Sequence, residues 1–151
     1  SWFFNDDQPF ILHNVDVLSG IDLSDMMNFH KDKKSLATLA VRERKTSRYF
    51  LFDQKNMLVG WQSLETREKK VVTQVSPELQ NLSFMGIHII SPALLALLPG
   101  KRIFSIVQAY LDLVGRGYRV LGYRNDDYWL DLGKKENLKE AEKYLGTMKP
   151  R

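Results

Sequence analysis

The run Tyr128-Trp129-Leu130-Asp131-Leu132-Gly133 constrains this chain more than any other segment. A short aromatic and apolar strand ends in a carboxylate, a glycine follows at once, and a helix-prone stretch runs from Lys134 to Leu145. A second carboxylate stands in similar company at Pro9-Phe10-Ile11-Leu12-His13-Asn14-Val15-Asp16. Two acidic groups at the carboxyl ends of two buried strands can share one divalent cation, and such a cation holds phosphate oxygens. The pair points towards phosphoryl-transfer chemistry.

The remaining segments predict an α/β body. Pro9 to Leu18 is almost continuously apolar, the pattern of a strand buried on both faces of a parallel sheet. Gly20 breaks it, and Asp22 or Ser24 can cap a helix running to about Lys34. Leu36 to Val41 reads as the next strand, so strand, helix and strand imply a right-handed crossover. Tyr49 to Phe52 and Met57 to Trp61 form a predicted hairpin around Asp53-Gln54-Lys55-Asn56. Thr66 to Lys70 reads as a charged turn, Lys70 to Val75 as a further strand, and Phe84 to Ile90 as a strong one. Ser91-Pro92 opens a short helix ending before Pro99. Phe104 to Val114 is an amphipathic helix stopped by Gly115 and Gly117, and Arg119 to Tyr123 is a strand. No repeat or linker divides the chain, so residues 1–151 are expected to form a single domain.

Composition removes several function classes. Hydrophobic content of 44% and charged content of 26% are those of an ordinary globular protein. No apolar stretch reaches the roughly 18 residues needed to span a membrane. The first residues lack the basic start and long apolar centre of a signal peptide, so a cytoplasmic location is expected. Zero cysteines exclude thiolate metal sites and cysteine nucleophiles. The net charge of +4 raises the possibility of a polyanion partner, but the basic residues scatter. The densest group, Lys31, Lys33 and Lys34, ends a helix, where cations belong. Neither nucleic acid nor membrane is expected as a partner. The three histidines lack metal spacing: His13 reads as a core residue, His30 as a helix end, and His88 as an alternating strand position facing solvent.

Asp16 and Asp131 remain the leading candidates, as catalytic and metal-holding residues. The bland alternative is that Asp16 caps a turn and Asp131 caps the last helix, but the two matching contexts favour the paired reading. A magnesium ion takes one or two protein carboxylates and fills its shell with water and phosphate, so no histidine is needed. Asp126 and Asp127 form a turn pair that can assist the ion. Trp61 and Trp129 can stack on a base or sugar, or fill a core.

The order of these segments resembles the nucleotide-sugar pyrophosphorylases, the sugar-1-phosphate nucleotidyltransferases. Phe10 to Asp16 looks like their strand ending in Asn-Gly-Asp. Phe84-Met85-Gly86-Ile87-His88-Ile89-Ile90-Ser91-Pro92 is similar to their central strand and turn, and Tyr128 to Gly133 to their later Trp-x-Asp-x-Gly signature. The nearest subgroup is that of mannose-1-phosphate guanylyltransferase-like and N-acetylmuramate-1-phosphate uridylyltransferase-like bacterial proteins. The resemblance runs from about Pro9 to Leu145. It implies a Rossmann-like nucleotidyltransferase sheet, mixed and mostly parallel, and a transferase of nucleotide-sugar biosynthesis. It also implies a reaction in which a sugar 1-phosphate oxygen attacks the α-phosphorus of a nucleoside triphosphate and releases pyrophosphate. The family's magnesium-holding aspartates match Asp16 and Asp131. Gly86 matches the small residue against which the sugar packs, although a strand bulge would equally call for glycine. Asn14 and Trp129 fall at substrate-binding positions.

Three departures qualify the resemblance. The family's Gly-x-Gly-x-Arg loop, which cradles the triphosphate, is absent, so the chain reads as a C-terminal part lacking the nucleotide-binding portion and inactive alone. The middle glycine of Asn-Gly-Asp is Val15. The Glu-Lys-Pro lysine is missing: Gly60-Trp61-Gln62-Ser63 stands in its place and reads as a solvated turn, with Lys69 or Lys70 as substitutes. These departures leave a non-catalytic sugar-nucleotide-binding or regulatory relative as the alternative. A sheet stripped of its first strands is also expected to self-associate through an exposed apolar edge.

Overall fold

A computed structural model of the chain describes residues 7–74, 77–98, 100 and 104–148. The N-terminal residues 1–6, the Val75 end of one predicted strand, Pro99 and the tail beyond 148 lie outside the described residues. In chain order come β1 (Phe10–His13), β2 (Val17–Ser19), α1 (Leu23–Lys33), β3 (Ala37–Arg42), β4 (Arg48–Phe52), β5 (Leu58–Ser63) and β6 (Glu68–Val71). They are followed by β7 (Gln80–Ile90), α2 (Ala93–Leu97), α3 (Ile106–Gly115), β8 (Val120–Arg124), β9 (Trp129–Asp131) and α4 (Asn137–Thr147).

Local chemistry explains many of these boundaries. The Asp22 carboxylate accepts the backbone N–H groups of Ser24 and Asp25 at 2.8 and 3.0 Å and so starts α1. Lys34, in the left-handed region at φ 49°, ends it. In the β4–β5 turn, Asp53 accepts the N–H groups of Lys55 and Met57, and Asn56 takes φ 59°. Ser105 caps α3. Ser91 does not cap α2 as expected. Its hydroxyl donates to the Ser35 carbonyl at 2.9 Å and meets His30 Nε2 at 2.9 Å.

The main sheet runs β6-β5-β4-β7-β3-β8, with β1 added beside β7. The long β7 is its hub. Gln80–Leu82 pairs with β4, the stretch from Ser83 to Ile90 pairs with β3, and Ile87 to Ile90 pairs with β1. The α/β class and the mixed sheet are as the sequence indicated, but the strand directions are not mostly parallel. Among the described residues only β3 and β8 pair in parallel. Both β1 and β3 run against β7, which lies between them, and the hairpin strands add further antiparallel ladders. The expected β1-α1-β3 unit therefore joins two strands that are not neighbours.

Three further expectations change. The apolar run from Pro9 to Leu18 is not one buried strand. It breaks at residues 14–16 into β1 and β2, and Ile11 and Leu12 are 37% and 44% exposed. The segment from Gly60 to Ser63 is the end of β5 rather than a solvated turn. Gly60 is needed there because a Cβ would drive into the Lys70 carbonyl of β6. The charged turn predicted from Thr66 to Lys70 is shorter, since Glu68 already belongs to β6.

Helices cover both faces of the sheet. On one face Met26 of α1 packs with Ala40, Met85, Ile87 and Ile89. On the other, Tyr110, Leu113 and Val114 of α3 pack with Leu39, Val41, Phe50, Phe52 and Leu82. This layering corrects the histidines. His88 is 5% exposed, because alternation along β7 leads from one covered face to the other, whereas His13 is exposed. Burial lowers the pKa of His88 to about 4, and its Nδ1 shares a 2.7 Å hydrogen bond with the Tyr110 hydroxyl. His30 is also lowered to about 4, by burial first and by the Lys31 charge second. Its ring joins Thr38 and Ser91 at 2.8 and 2.9 Å, tying α1 to β3 and to the end of β7.

Candidate functional site

The two predicted carboxylates converge at the small β2–β9 sheet, which is separate from the main one. In its register Val17 lies opposite Asp131, and the Leu132 N–H donates to the Asp16 carbonyl at 2.7 Å. Asp16 enters the ladder just where Asp131 leaves it, although they are 115 positions apart in the sequence. The sequence indicates a short strand ending at Asp131 but not its partner, which is β2.

The distance between the two acids is bounded by Gly133. A Cβ placed on that glycine would lie 3.1 Å from Asp131 Oδ1 and 3.4 Å from Asp16 Oδ2. Both oxygens thus face one small cradle that any larger residue would fill. Asp131 Oδ1 also accepts the Gly133 N–H at 2.9 Å, and the Asn137 amide donates to the Asp131 carbonyl at 2.7 Å. Asp131 is not the cap of α4, whose N-cap is Glu136. Two carboxylates around an open point are a donor set of hard oxygens, which suits magnesium. Among the described residues no group of three or more acidic or histidine side chains gathers there or elsewhere.

A cleft of about 160 Å³ opens at this cradle. It is lined by Asn14, Asp16, Val17, Arg44, Phe84, Gly86, Trp129 and Asp131. All five predicted site residues therefore share one wall system. Gly86 has φ 79°, at a register irregularity where β3 passes from Leu39 to Val41 while β7 passes from His88 to Phe84. A Cβ on Gly86 would come within 2.9 Å of Val17 and 3.0 Å of the Asn14 amide. Both bulge and close approach demand glycine, and the close neighbours are protein groups. Asn14 is fixed by its N–H donating to the Gly86 carbonyl at 2.8 Å. Val15 is 99% exposed, so its bulk points away from the cleft.

Trp129 donates its indole N–H to the Met85 carbonyl at 2.8 Å, and the Arg44 guanidinium lies over its ring at 4.5 Å. Arg44 was missed in the sequence, where Arg42-Glu43-Arg44-Lys45 looks like a solvated charged run. The available signal was its position just beyond the carboxyl end of β3, where ligands of α/β sheets bind. The substitutes considered for the missing lysine stand elsewhere. Lys70 donates to Gln108 of α3 at 3.1 Å, and neither Lys69 nor Lys70 lines the cleft. Asp126 and Asp127 are outside it too, with Asp127 held by the Asn125 amide at 2.8 Å. Trp61 packs against the α3-side core.

No family model matches the sequence, and no curated protein matches it. Solved structures do match. One is a protein from Bacillus anthracis, assigned as a glucose-1-phosphate thymidylyltransferase and solved in complex with sucrose. Its TM-score is 0.73 at 14% identity, over 98% of this chain and 58% of that one. Another is HddC from Yersinia pseudotuberculosis, with TM-score 0.65 at 17% identity, over 95% of this chain and 58% of that one. These likenesses establish a nucleotidyltransferase-like fold, and the chain spans 58% of the length of each structure.

Proposed function

We propose that this chain is the sugar-phosphate-handling part of a sugar-1-phosphate nucleotidyltransferase, which joins a nucleoside triphosphate to a sugar 1-phosphate and releases pyrophosphate. One observation carries the reading: Asp16 and Asp131, from distant segments, face one cradle beside Gly133. The fold shared with a protein assigned as a glucose-1-phosphate thymidylyltransferase supports it. The motif resemblance favours the mannose-1-phosphate guanylyltransferase-like and N-acetylmuramate-1-phosphate uridylyltransferase-like bacterial proteins, and a cytoplasmic location belongs to the same proposal.

Asp16 and Asp131 would hold a magnesium ion, which when bound neutralises phosphate charge. The chain's own contribution is positioning. The β2–β9 ladder fixes both acids, while Gly86, Asn14 and Trp129 shape the wall that a substrate meets. No described histidine or further acid lines the cleft as a proton acceptor, which suits a reaction whose nucleophile is already an ionised phosphate oxygen.

The test uses manganese as a spectroscopic stand-in. The 151-residue chain is expected to bind one Mn²⁺ by electron paramagnetic resonance, and Asp16→Asn and Asp131→Asn are each expected to remove that binding. A gene product joining this chain to a nucleotide-binding portion should release pyrophosphate with magnesium, and Asp131→Asn should abolish the release. Unchanged activity in that variant would overturn the assignment. The absence of the Glu-Lys-Pro lysine, with neither Lys69 nor Lys70 lining the cleft, favours a second reading, a non-catalytic relative. Calorimetry showing tight binding of triphosphate and sugar phosphate without pyrophosphate release would select it. Val15, which had favoured the same reading, no longer does, because it projects into solvent.

A further inference from the structure

We propose that Arg44 is the residue that receives the phosphate group of the sugar phosphate, in place of the absent lysine. The inference rests on the reading above and assigns the phosphate-binding cation of that site. Arg44 shares the cleft with Asp16 and Asp131, yet it forms no ion pair among the described residues, where the one salt bridge joins Arg124 and Glu43. Its guanidinium carbon lies over the Trp129 ring at 4.5 Å, and Trp129 is itself anchored to the Met85 carbonyl. Its Nε is buried and has no hydrogen-bond partner.

A packing role alone does not account for this arrangement. Methionine or leucine would cover an indole face without burying an unpaired N–H of a charged group, which is unfavourable. A guanidinium held over an aromatic ring, in one cleft with two carboxylates but unpaired with them, is pre-organised for an outside anion. A phosphate is the anion that such a fork and a neighbouring divalent cation would hold together. Position adds a second argument. Arg44 also lines a larger groove of about 610 Å³, together with Lys45, Tyr49, Gln62 and Asn81. It stands where this groove meets the acidic cleft of about 160 Å³. The smaller hollow has room for a phosphate but not for the whole ester, so the organic part would extend past Arg44 into the larger one.

Inorganic phosphate is the probe, because it does not depend on knowing the sugar. Phosphorus NMR relaxation is followed on the 151-residue chain with phosphate, first without metal and then with Mn²⁺. The wild type is expected to bind phosphate, and Mn²⁺ at the aspartates should broaden the bound phosphate signal. Arg44→Gln should weaken phosphate binding about tenfold to a hundredfold while leaving Mn²⁺ affinity unchanged. Arg44→Lys keeps the charge but loses the fork, and should weaken it several-fold. It carries the test if Arg44→Gln fails to fold. Phosphate binding by a folded Arg44→Gln as tight as that of the wild type overturns the proposal, as does a wild type that binds no phosphate. Loss of Mn²⁺ binding in the wild type, with the Arg44 effect intact in metal-free solution, would sink the metal-site reading and leave the Arg44 assignment standing.

Discussion

Single residues set tight limits on this chain, and at Gly86 backbone conformation and close packing act together. Its φ of 79° and the nearness of Val17 and Asn14 forbid any side chain. Gly86→Ala is expected to cost about 2–3 kcal/mol, from backbone strain and from pushing the β1–β2 turn aside. Urea unfolding measures the cost, and the double variant Gly86→Ala with Val17→Ala should recover part of it, since only the contact is relieved and the strain remains. A loss below about 0.5 kcal/mol in the single variant would contradict the geometry. His30 and His88 make a second prediction. Both have pKa values lowered to about 4, chiefly by burial, so the folded state holds them neutral. An unfolded chain binds protons on both below about pH 6.5, whereas the folded one does so only near pH 4. Their contribution to stability is therefore complete above pH 6.5 and is lost as pH falls towards 4, on the order of 2–3 kcal/mol for each ring. Urea midpoints should drop steadily across that interval, and proton NMR should show neither ring titrating above about pH 5. Midpoints that stay flat from pH 7 to 4.5 would refute it.

At the scale of elements, the β2–β9 ladder gives the site its geometry, because Asp16 and Asp131 flank it and Leu130 anchors it at 7% exposure. Leu130→Ala should cost about 2–4 kcal/mol and lower Mn²⁺ affinity about tenfold, although no metal-facing atom is removed. Titration followed by electron paramagnetic resonance tests this, and an unchanged affinity would show that the ladder does not position the acids. How far the sequence revealed these elements depends on the range of the forces involved. Caps and turns are local, so Asp22, Ser105 and the Asp53–Asn56 turn are legible from short spacings. The pairing of Asp16 with Asp131 was legible because each stands beside a short apolar stretch, although only Asp131 ends a strand and Asp16 lies in the turn before β2. Strand direction was not, since pairing with β7 is decided by partners up to 80 residues away. The same holds for His88, whose alternation says which side of β7 it takes but not that α3 covers that side. Arg44 stayed hidden for a similar reason: only the return of Trp129 beneath it distinguishes it from Arg42 and Lys45.

For the whole molecule, the two-layer covering of the sheet stops short of β1. β1 pairs with β7, and Ile11, Leu12 and Val15 expose 37%, 44% and 99% of their surface. Leu23 and Met27 of α1 border Ile11 in a shallow hollow of about 320 Å³, so the apolar strip continues from strand to helix. Exposed apolar side chains on a strand beside an apolar helix face favour association with another copy. Two copies meeting edge to edge would join their sheets and cover both strips at once, the self-complementary contact of a two-fold dimer. Fully burying an exposed large apolar side chain contributes about 1.5–3 kcal/mol; Ile11 and Leu12 are already more than half buried and gain less than that, so weak association is expected. Leu12→Lys puts a charge in the middle of the strip and should raise the dissociation constant at least about tenfold. Sedimentation equilibrium across a hundredfold range of concentration reads both quantities. A wild type that stays monomeric throughout, or a Leu12→Lys variant that dimerises as tightly as its parent, would show that β1 is not the contact.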